Sequence, residues 1–566
     1  VDLSTRPVEL SLAPAATTAP AVWSERLAEE VEARVAAAGA DGPIVCASGI
    51  SPSGPIHMGN LREVFTTHLV AEALRARGHE VVHLHSWDDY DRLRKVPAGV
   101  DPAFERYVGM PLSGVPDPWD PAAGSYAEHW MSEFTDALRV LGIELHDVRQ
   151  SERYPAGDYN ARIRRAMDAR EHIFDTLAAQ QTAGRHEAPA EERRRAYFPF
   201  KPFCETCGRD DTQVTSYADE TVAYRCRHGH EGTMSLADGE RIAGKLVWKV
   251  DWPMRWAYEG VAFEPAGEDH HAPTGSFTVG RTLVRDVFGG EAPSSAVYSF
   301  VSLAGVGGKL SGSAGGAPIP ATALEVLEPA IVRWLYIRRL PSQSFAIDLS
   351  PKGVQKLYDE WDRFVAAAHE PDASAADVAM HRLAIASTAG EVPSTRRPVS
   401  FRLLAAAADL TQGNREQIGR IVVQHLDESV ASPADLLAEL EPRLSCAIAF
   451  VDLLPEESRT TLRAAFDAAT WESLDDATRE GVATLGRELA DAWSLDGLTA
   501  LVYAVPKLML GLPRDAPPSP ELKAAQRAFF RALYQLMTAS DTGPRLPTLM
   551  LSIGPDRTRE LLLGAR

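Results

Sequence analysis

The stretch Ile44-Val45-Cys46-Ala47-Ser48-Gly49-Ile50-Ser51-Pro52-Ser53-Gly54-Pro55-Ile56-His57-Met58-Gly59-Asn60-Leu61-Arg62-Glu63 constrains this chain more than any other. An apolar run, a turn rich in Gly, Ser and Pro, and a helical start predict a strand, a loop and a helix in succession. Such a junction aims backbone N–H groups and the positive end of a helix dipole at one point, a setting for a phosphate-bearing ligand. Gly49, Gly54 and Gly59 let a nucleotide approach the backbone without meeting a Cβ atom. His57 and Asn60 stand three apart, so on a helical turn they share a face and can both donate to phosphate oxygens. Val64, Leu69, Val70, Ala73 and Leu74 continue the helix to Gly78, and Val81-Val82-His83-Leu84-His85 reads as a second buried strand. Strand, helix and strand at this spacing make a right-handed βαβ unit, the seed of a nucleotide-binding sheet. The pattern implies an enzyme that activates its substrate with ATP.

Around this unit, Trp23, Leu27, Val31 and Val35 predict a helix over about 22–40. From about 101 to 245 the pattern turns helical and polar, which predicts an insertion splitting the sheet. Lys245-Leu246-Val247-Trp248-Lys249-Val250 then reads as a strand returning to it. The Gly-rich segment 304–317 is too long and bare for an ordinary connection, which marks it as functional. Beyond about 320, helical signals dominate, with Pro-rich breaks near 389–398 and 512–520. A length of 566 residues accommodates two to four domains. Residues 1–20, rich in Ala, Pro and Thr, read as a disordered leader. No apolar run approaches the roughly 20 residues that span a bilayer, and nothing resembles a secretory signal. Five cysteines in so long a chain make no disulfide framework, which fits the cytoplasm. A net charge of −20 argues against indiscriminate nucleic-acid binding. It still permits a structured RNA held on a local basic face, for which Arg162, Arg164, Arg165, Arg170 and Arg193, Arg194, Arg195 are candidates, with a solvated helix face as the bland alternative.

Cys204-Glu205-Thr206-Cys207 and Cys226-Arg227-His228-Gly229-His230 place two close ligand pairs on either side of a hairpin-like segment, the spacing of a zinc knuckle. Cys204, Cys207, Cys226 and His230 are the expected ligands of a structural Zn2+, with His228 competing for the fourth place. Cys46 and Cys446 sit in apolar surroundings and read as core residues. Glu268-Asp269-His270-His271 offers three adjacent ligand types that point in different directions, a poor second metal site.

Pro52-Ser53-Gly54-Pro55-Ile56-His57-Met58-Gly59-Asn60 resembles the first signature of class I aminoacyl-tRNA synthetases. With Asn60-Leu61-Arg62-Glu63, Trp87-Asp88-Asp89-Tyr90-Asp91-Arg92-Leu93-Arg94-Lys95-Val96-Pro97, Val250-Asp251-Trp252-Pro253-Met254-Arg255-Trp256, Phe263-Glu264-Pro265-Ala266-Gly267 and Lys309-Leu310-Ser311-Gly312-Ser313, in that order, the chain resembles class I lysyl-tRNA synthetases. The resemblance implies an α/β fold: a Rossmann-type parallel-sheet catalytic domain over 21–100 and 245–320, and a zinc-bearing insertion over 101–244. A linking helical region over 321–365 and an all-helical anticodon-binding domain over 366–566 would follow. It implies ATP-dependent activation of lysine and its transfer to tRNA(Lys) by a cytoplasmic monomer, with Mg2+ carried by the ATP. His57, Asn60, Lys309, Ser311 and Ser313 would be catalytic. Pro52, Ser53, Gly54, Gly59, Asp269, Gly275 and Ser276 would join His57, Asn60 and Lys309 around ATP. Glu63 and Tyr298 would bracket the ε-ammonium, with Gly49, Ser51, Trp252 and His270 completing the lysine pocket.

The chain departs from that pattern at three places. Ala47 stands where family members commonly carry Glu, Glu268 where a basic residue is usual, and Ala314 and Gly316 where the second signature reads Lys and Asn. Lys309 is then that loop's only cation. These departures keep two rivals open: a specialised paralogue that activates lysine or an analogue for a non-ribosomal product, and a catalytically weak tRNA-binding regulator.

Overall fold

The computed structural model describes residues 8–9, 20–39, 42–120, 122, 124–180, 189–304, 319–386, 395–396, 399–423, 433–456 and 459–564. At its centre lie four parallel strands, β1 (Ile44–Ile50), β2 (Val81–Trp87), β3 (His146–Arg149) and β4 (Val261–Phe263), in the order β4-β1-β2-β3. β1 and β2 pair without interruption from Ile44↔Val81 to Ile50↔Trp87. Side chains of β1 alternate between two cores, as a period of two requires. Ile44, Cys46 and Ile50 enter the larger core with helices α1 (Trp23–Ala38) and α2 (Met58–Ala76). Ala47, with Leu84 of β2 and Val148 of β3, meets Trp252, Trp256 and Phe277 on the other face.

Helix α2 runs through the larger core, with Leu61, Val64, Phe65, Leu69, Val70 and Leu74 all fully buried. Each such side chain contributes roughly 1.5–3 kcal/mol, so packing rather than helical propensity holds α2 and the loop it follows. Cys46 and Cys446 are buried, and desolvation pushes both thiols up to about 12, as inert core residues.

Two expectations are corrected. The segment expected as one insertion over 101–244 is divided. Helix α3 (Tyr126–Val140) packs Tyr126, Met131, Phe134 and Leu138 into the larger core, and β3 joins the sheet. β3 escaped notice because its His146 and Asp147 are exposed and leave no apolar run. The excursion after β3 has its own core, including Tyr154, Tyr159, Ile163, Phe200 and Leu246, and a three-stranded antiparallel sheet of Thr212–Ala218, Thr221–Cys226 and Glu231–Ser235. The expected strand 245–250 does not return to the parallel sheet either. Gly244–Leu246 pairs antiparallel with Phe200–Pro202, and helix α4 (Trp248–Glu259) begins two residues later. Trp248, Trp252 and Trp256 recur every fourth residue, the helical spacing that puts their rings in succession; those of Trp248 and Trp252 stack at 5.1 Å.

From Pro320 onward helices dominate, many started by a side-chain oxygen capping the first turn: Ser350, Ser374, Ser400, Ser494 and Ser519. Helix Phe401–Leu410 joins the two halves, with Phe401 and Leu404 in the larger core and Leu403 and Leu410 against a separate C-terminal core around Leu485, Val502, Phe529 and Leu549. Val8–Glu9, within the expected leader, pairs antiparallel with Thr395–Arg396.

Candidate active site

His57 caps α2 from inside its own loop. Its Nδ1 accepts the Gly59 N–H at 3.0 Å, and Asn60 Oδ1 accepts the His57 N–H at 3.2 Å. An accepting Nδ1 bears no hydrogen, so the neutral ring carries its proton on Nε2. The cap depends on Gly59, because a Cβ there would lie 2.7 Å from His57 Cε1. A Cβ on Gly275 would lie 2.2 Å from the His270 carbonyl oxygen, so the Asp269–His270 turn closes onto a bare backbone.

Beside this junction opens a cavity of about 440 Å³. Gly49, Ser51, Glu63, Trp252 and His270 line it; Pro52, Ser53, Gly54, His57, Gly59, Asn60, Asp269, Gly275 and Ser276 do not. Five of the six candidates for the amino acid therefore line the cavity, with Tyr298 behind them on Glu63, and none of the described candidates for the nucleotide does. Both Glu63 oxygens are committed: Oε1 accepts the Gly49 N–H at 2.7 Å and Oε2 accepts the Tyr298 hydroxyl at 2.6 Å. Enclosure raises the Glu63 carboxyl to about 8 against the pull of those two hydrogen bonds, and Glu264 and Asp88 nearby push the same way as burial. Trp252 and His270 meet edge to face at 5.3 Å.

The sequence reading gave no role to several other residues of this cavity. Glu264 is buried, accepts the Trp256 indole N–H at 2.6 Å, and is raised by burial to about 7. Behind it, Arg255 pairs with Asp88 at 3.0 Å and with Asp251 at 3.2 Å, and Lys245 pairs with Asp91 at 2.6 Å. Tyr154 donates to Asp251 at 2.5 Å. Burial would raise Asp91, but Lys245 outweighs it and holds the carboxyl low. Asp88 is raised by burial to about 6 despite Arg255. The cluster Asp88-Asp89-Tyr90-Asp91 in one short polar run was the available signal, since carboxylates so close together after a buried strand are costly unless paired. Of the carboxyls lining this cavity, Glu63 and Glu264 are thus raised by burial to near neutrality or above, whereas Lys245 holds Asp91 low.

The family described as tRNA synthetases class I (K) matches residues 21–386. The lysine–tRNA ligase of Streptomyces coelicolor is 46% identical over 575 residues, covering 95% of this chain and 98% of its own. That of Pyrococcus furiosus is 33% identical over 94% of this chain and 97% of its own, and that of Borreliella burgdorferi 30% over 95% and 98%. The chain belongs to the class I tRNA synthetases. Its α/β fold, with a parallel sheet followed by helices, is that of the family.

Within this synthetase the departure at Ala47 has a definite place. Ala47 is buried and borders a void of about 20 Å³ with Trp252, Arg255 and Glu264, off the main cavity. Glu268 accepts a hydrogen bond from the Ser299 hydroxyl at 3.4 Å. Lys309, Ser311, Ser313, Ala314 and Gly316 lie outside the described residues.

The expected ligand atoms of Cys204, Cys207, Cys226 and His230 all lie within 4.8 Å of one another. Cys204 Sγ is 3.5 Å from His230 Nδ1, and Cys207 Sγ is 3.7 Å from Cys226 Sγ. The edges of a zinc tetrahedron with thiolate bonds of about 2.3 Å are about 3.8 Å long, so the four side chains fit such an ion. His228 is turned away, 3.2 Å from Arg209 and 3.7 Å from Asp211. Part of the Arg runs is neutralised: Arg194 by Asp175 and Glu171, Arg164 by Glu220 and Asp238, Arg195 by Glu191. Among the described residues no helix is long and apolar enough to cross a membrane.

Proposed function

We propose that this synthetase is a lysine–tRNA ligase, and the observation that carries the reading is the doubly held Glu63 in the cavity. A desolvated ammonium needs a carboxylate in a fixed place. The Gly49 N–H and the Tyr298 hydroxyl fix both Glu63 oxygens, leaving their remaining lone pairs to the ε-ammonium. With that carboxyl at about 8 before lysine arrives, lysine binding at neutral pH releases its proton, and the ion pair forms only with a substrate that brings a positive charge. Glu264 is our candidate for the α-ammonium, and Trp252 and His270 shape the wall.

A lysine carboxylate oxygen attacks the α-phosphorus of ATP, pyrophosphate leaves, and the resulting lysyl-adenylate passes its acyl group to a hydroxyl of the terminal ribose of tRNA(Lys) with loss of AMP. Positioning and charge stabilisation do most of the work in such a step. The His57 Nε2–H and Asn60 face the α-phosphate side. Lys309, with Ser311 and Ser313, faces the departing pyrophosphate, and Mg2+ arrives with the ATP. Pro52, Ser53, Gly54, Gly59, Asp269, Gly275 and Ser276 surround the nucleotide. Cys204, Cys207, Cys226 and His230 hold a structural Zn2+ that ties the knuckle together; the Cys204→Ser, Cys226→Ser double variant loses about one zinc per chain by elemental analysis. On this reading the helical half from about 366 is the anticodon-binding part, and the protein works as a cytoplasmic monomer.

The test is aminoacylation of total tRNA with each amino acid in turn. Lysine alone should be charged. Charging with another amino acid would overturn the specificity argument. Activation of lysine that never reaches tRNA would favour the specialised paralogue, and tRNA binding without charging would favour the regulator.

A further inference from the structure

Arg62 stands in the second turn of α2, beside Glu63, and is 2% exposed. It is a cation taken into the protein without a carboxylate: among the described residues it forms no ion pair, and burial pulls its guanidinium down to about 10. Its partners are backbone oxygens instead. Nη2 donates to the carbonyls of Leu340, Pro341 and Gln343 at 2.5, 2.8 and 3.2 Å, and the guanidinium lies 5.1 Å from the centre of the Phe345 ring. A desolvated charge answered only by dipoles is costly, and an apolar side chain of similar volume often holds a fold as well or better. What the charge secures is the place of one turn. Ser299 holds the same turn from its other side, its N–H donating to the Pro341 carbonyl at 2.9 Å and its hydroxyl to that of Ser342 at 2.9 Å. The flanking segments then run together, Val301–Leu303 pairing parallel with Phe345–Ile347.

We propose that Arg62 is a positioning residue for adenylate formation, fixing the strand Val301–Leu303 against the helix that His57 caps. Two adjacent residues of α2 then grip one segment: Glu63 accepts the Tyr298 hydroxyl, and Arg62 holds the turn to which Ser299 is bound. A third tie comes from Tyr336, whose hydroxyl donates at 2.7 Å to the carbonyl of Met58, the residue after His57. Leu303 precedes Lys309 by six positions in the chain, so this segment leads from the lysine pocket towards the second signature. In-line displacement needs the groups on the α-phosphate side and those on the pyrophosphate side in register, and a misplacement of about 1 Å costs about a hundredfold in rate. Arg62 does not line the cavity; it acts through the carbonyls of Leu340, Pro341 and Gln343. This proposal rests on the ligase reading.

The experiment measures lysine-dependent pyrophosphate exchange, run with tRNA present, alongside the urea midpoint of each variant. Arg62→Met fills the same space without charge and should leave the midpoint at or above that of the parent. Its exchange kcat should nonetheless fall about a hundredfold. Its lysine KM should stay within about threefold, because Glu63 keeps both Gly49 and Tyr298. Arg62→Lys brings one nitrogen with three N–H groups to the same three carbonyls and should recover kcat to within about tenfold of the parent. Ser299→Ala, which loosens the other side of the turn, should lower kcat about fivefold with the lysine KM unchanged. A fallen midpoint with kcat unmoved in Arg62→Met would assign Arg62 to the fold alone and overturn the proposal. Should Arg62→Met not fold, an unmoved kcat in Ser299→Ala would overturn it equally. So would a lysine KM that rises in step with the loss of kcat, which would put Arg62 to work on the lysine pocket. If the unaltered protein shows no lysine-dependent exchange, the ligase reading itself fails and takes this proposal with it.

Discussion

Two buried charge systems in this molecule look alike in composition and differ in completeness. At the seam between the sheet's core and the C-terminal helices, Arg443 is 4% exposed and spends its guanidinium fully: on Glu328 at 2.6 Å, on Asp362 at 2.6 and 3.1 Å, and on the Val399 carbonyl at 2.9 Å. Its carboxylates are answered by a cation from the protein. In the cavity, Arg255 and Lys245 answer Asp88, Asp91 and Asp251, but among the described residues no cation forms an ion pair with Glu63 or Glu264, and burial lifts those two to about 8 and about 7, the second against a weaker pull from Arg255. A closed network holds a fold together; on the ligase reading, an enclosed carboxyl that pairs with no cation among the described residues is kept for a ligand that brings one.

If that contrast is right, the two systems respond oppositely to substitution. The largest effect is expected at the seam. Arg443→Met leaves Glu328 and Asp362 facing one another in the interior and should lower stability by about 3–5 kcal/mol, read as a fall in the urea midpoint, with the lysine KM of the surviving folded protein unchanged. A midpoint within error of the parent would show that the seam is not held by charge. Glu63→Gln should do the reverse, raising the lysine KM by a factor worth roughly 2 kcal/mol without lowering the midpoint. Lysine affinity that ignores this change would place the reading of the ammonium elsewhere.

The third expectation concerns pH. The free carboxyl of Glu63 must lose its proton to pair with lysine, so the lysine KM should rise by up to about tenfold per unit as the pH falls below 8, and level off above it. That dependence should vanish in Glu63→Gln. The smallest effect belongs to Tyr298→Phe, which removes one hydrogen bond to the ionised form and should cost about 1 kcal/mol. Because the tyrosine hydrogen bond pulls the Glu63 carboxyl down, its loss should also move the KM profile to higher pH. A shift to lower pH would mean the hydroxyl does not act on Glu63.

How much of this could be read in advance follows from where the information sits. β1, α2 and β2 were legible because local pattern and buried position agree: an apolar strand, small residues in the turn, and apolar spacing along the helix. The clustering of Cys204, Cys207, Cys226 and His230 was legible because sulfur ligands are scarce and their spacing is short. β3 was not, since four residues with an exposed His146 and Asp147 carry no apolar signal and only its neighbour β2 makes it a strand. The stretch 245–250 misled because Leu246, Val247, Trp248 and Val250 suit a strand locally, while the every-fourth-residue tryptophans become decisive only when the window extends to Trp256. Glu63 and Tyr298 were reached through family resemblance. From the residues alone, a Glu in the first turns of a helix is most simply explained by the helix dipole, and nothing local says that Tyr298 will find it.

That last pairing has a consequence for the order of events during synthesis. Glu63 and Tyr298 are separated by 235 positions, and β4, which seats itself beside β1, is made more than two hundred residues after it. A chain still emerging from the ribosome can form the first strands and the capped helix, yet it carries Glu63 without its hydroxyl partner and a sheet with one edge bare. Contacts this distant are slow to close, and until then the open edge is a template for wrong pairing. The cavity around Glu63 is therefore incomplete until Tyr298 has been made, just past the middle of the 566-residue chain, so a half-made chain lacks one of the two groups that hold this carboxylate.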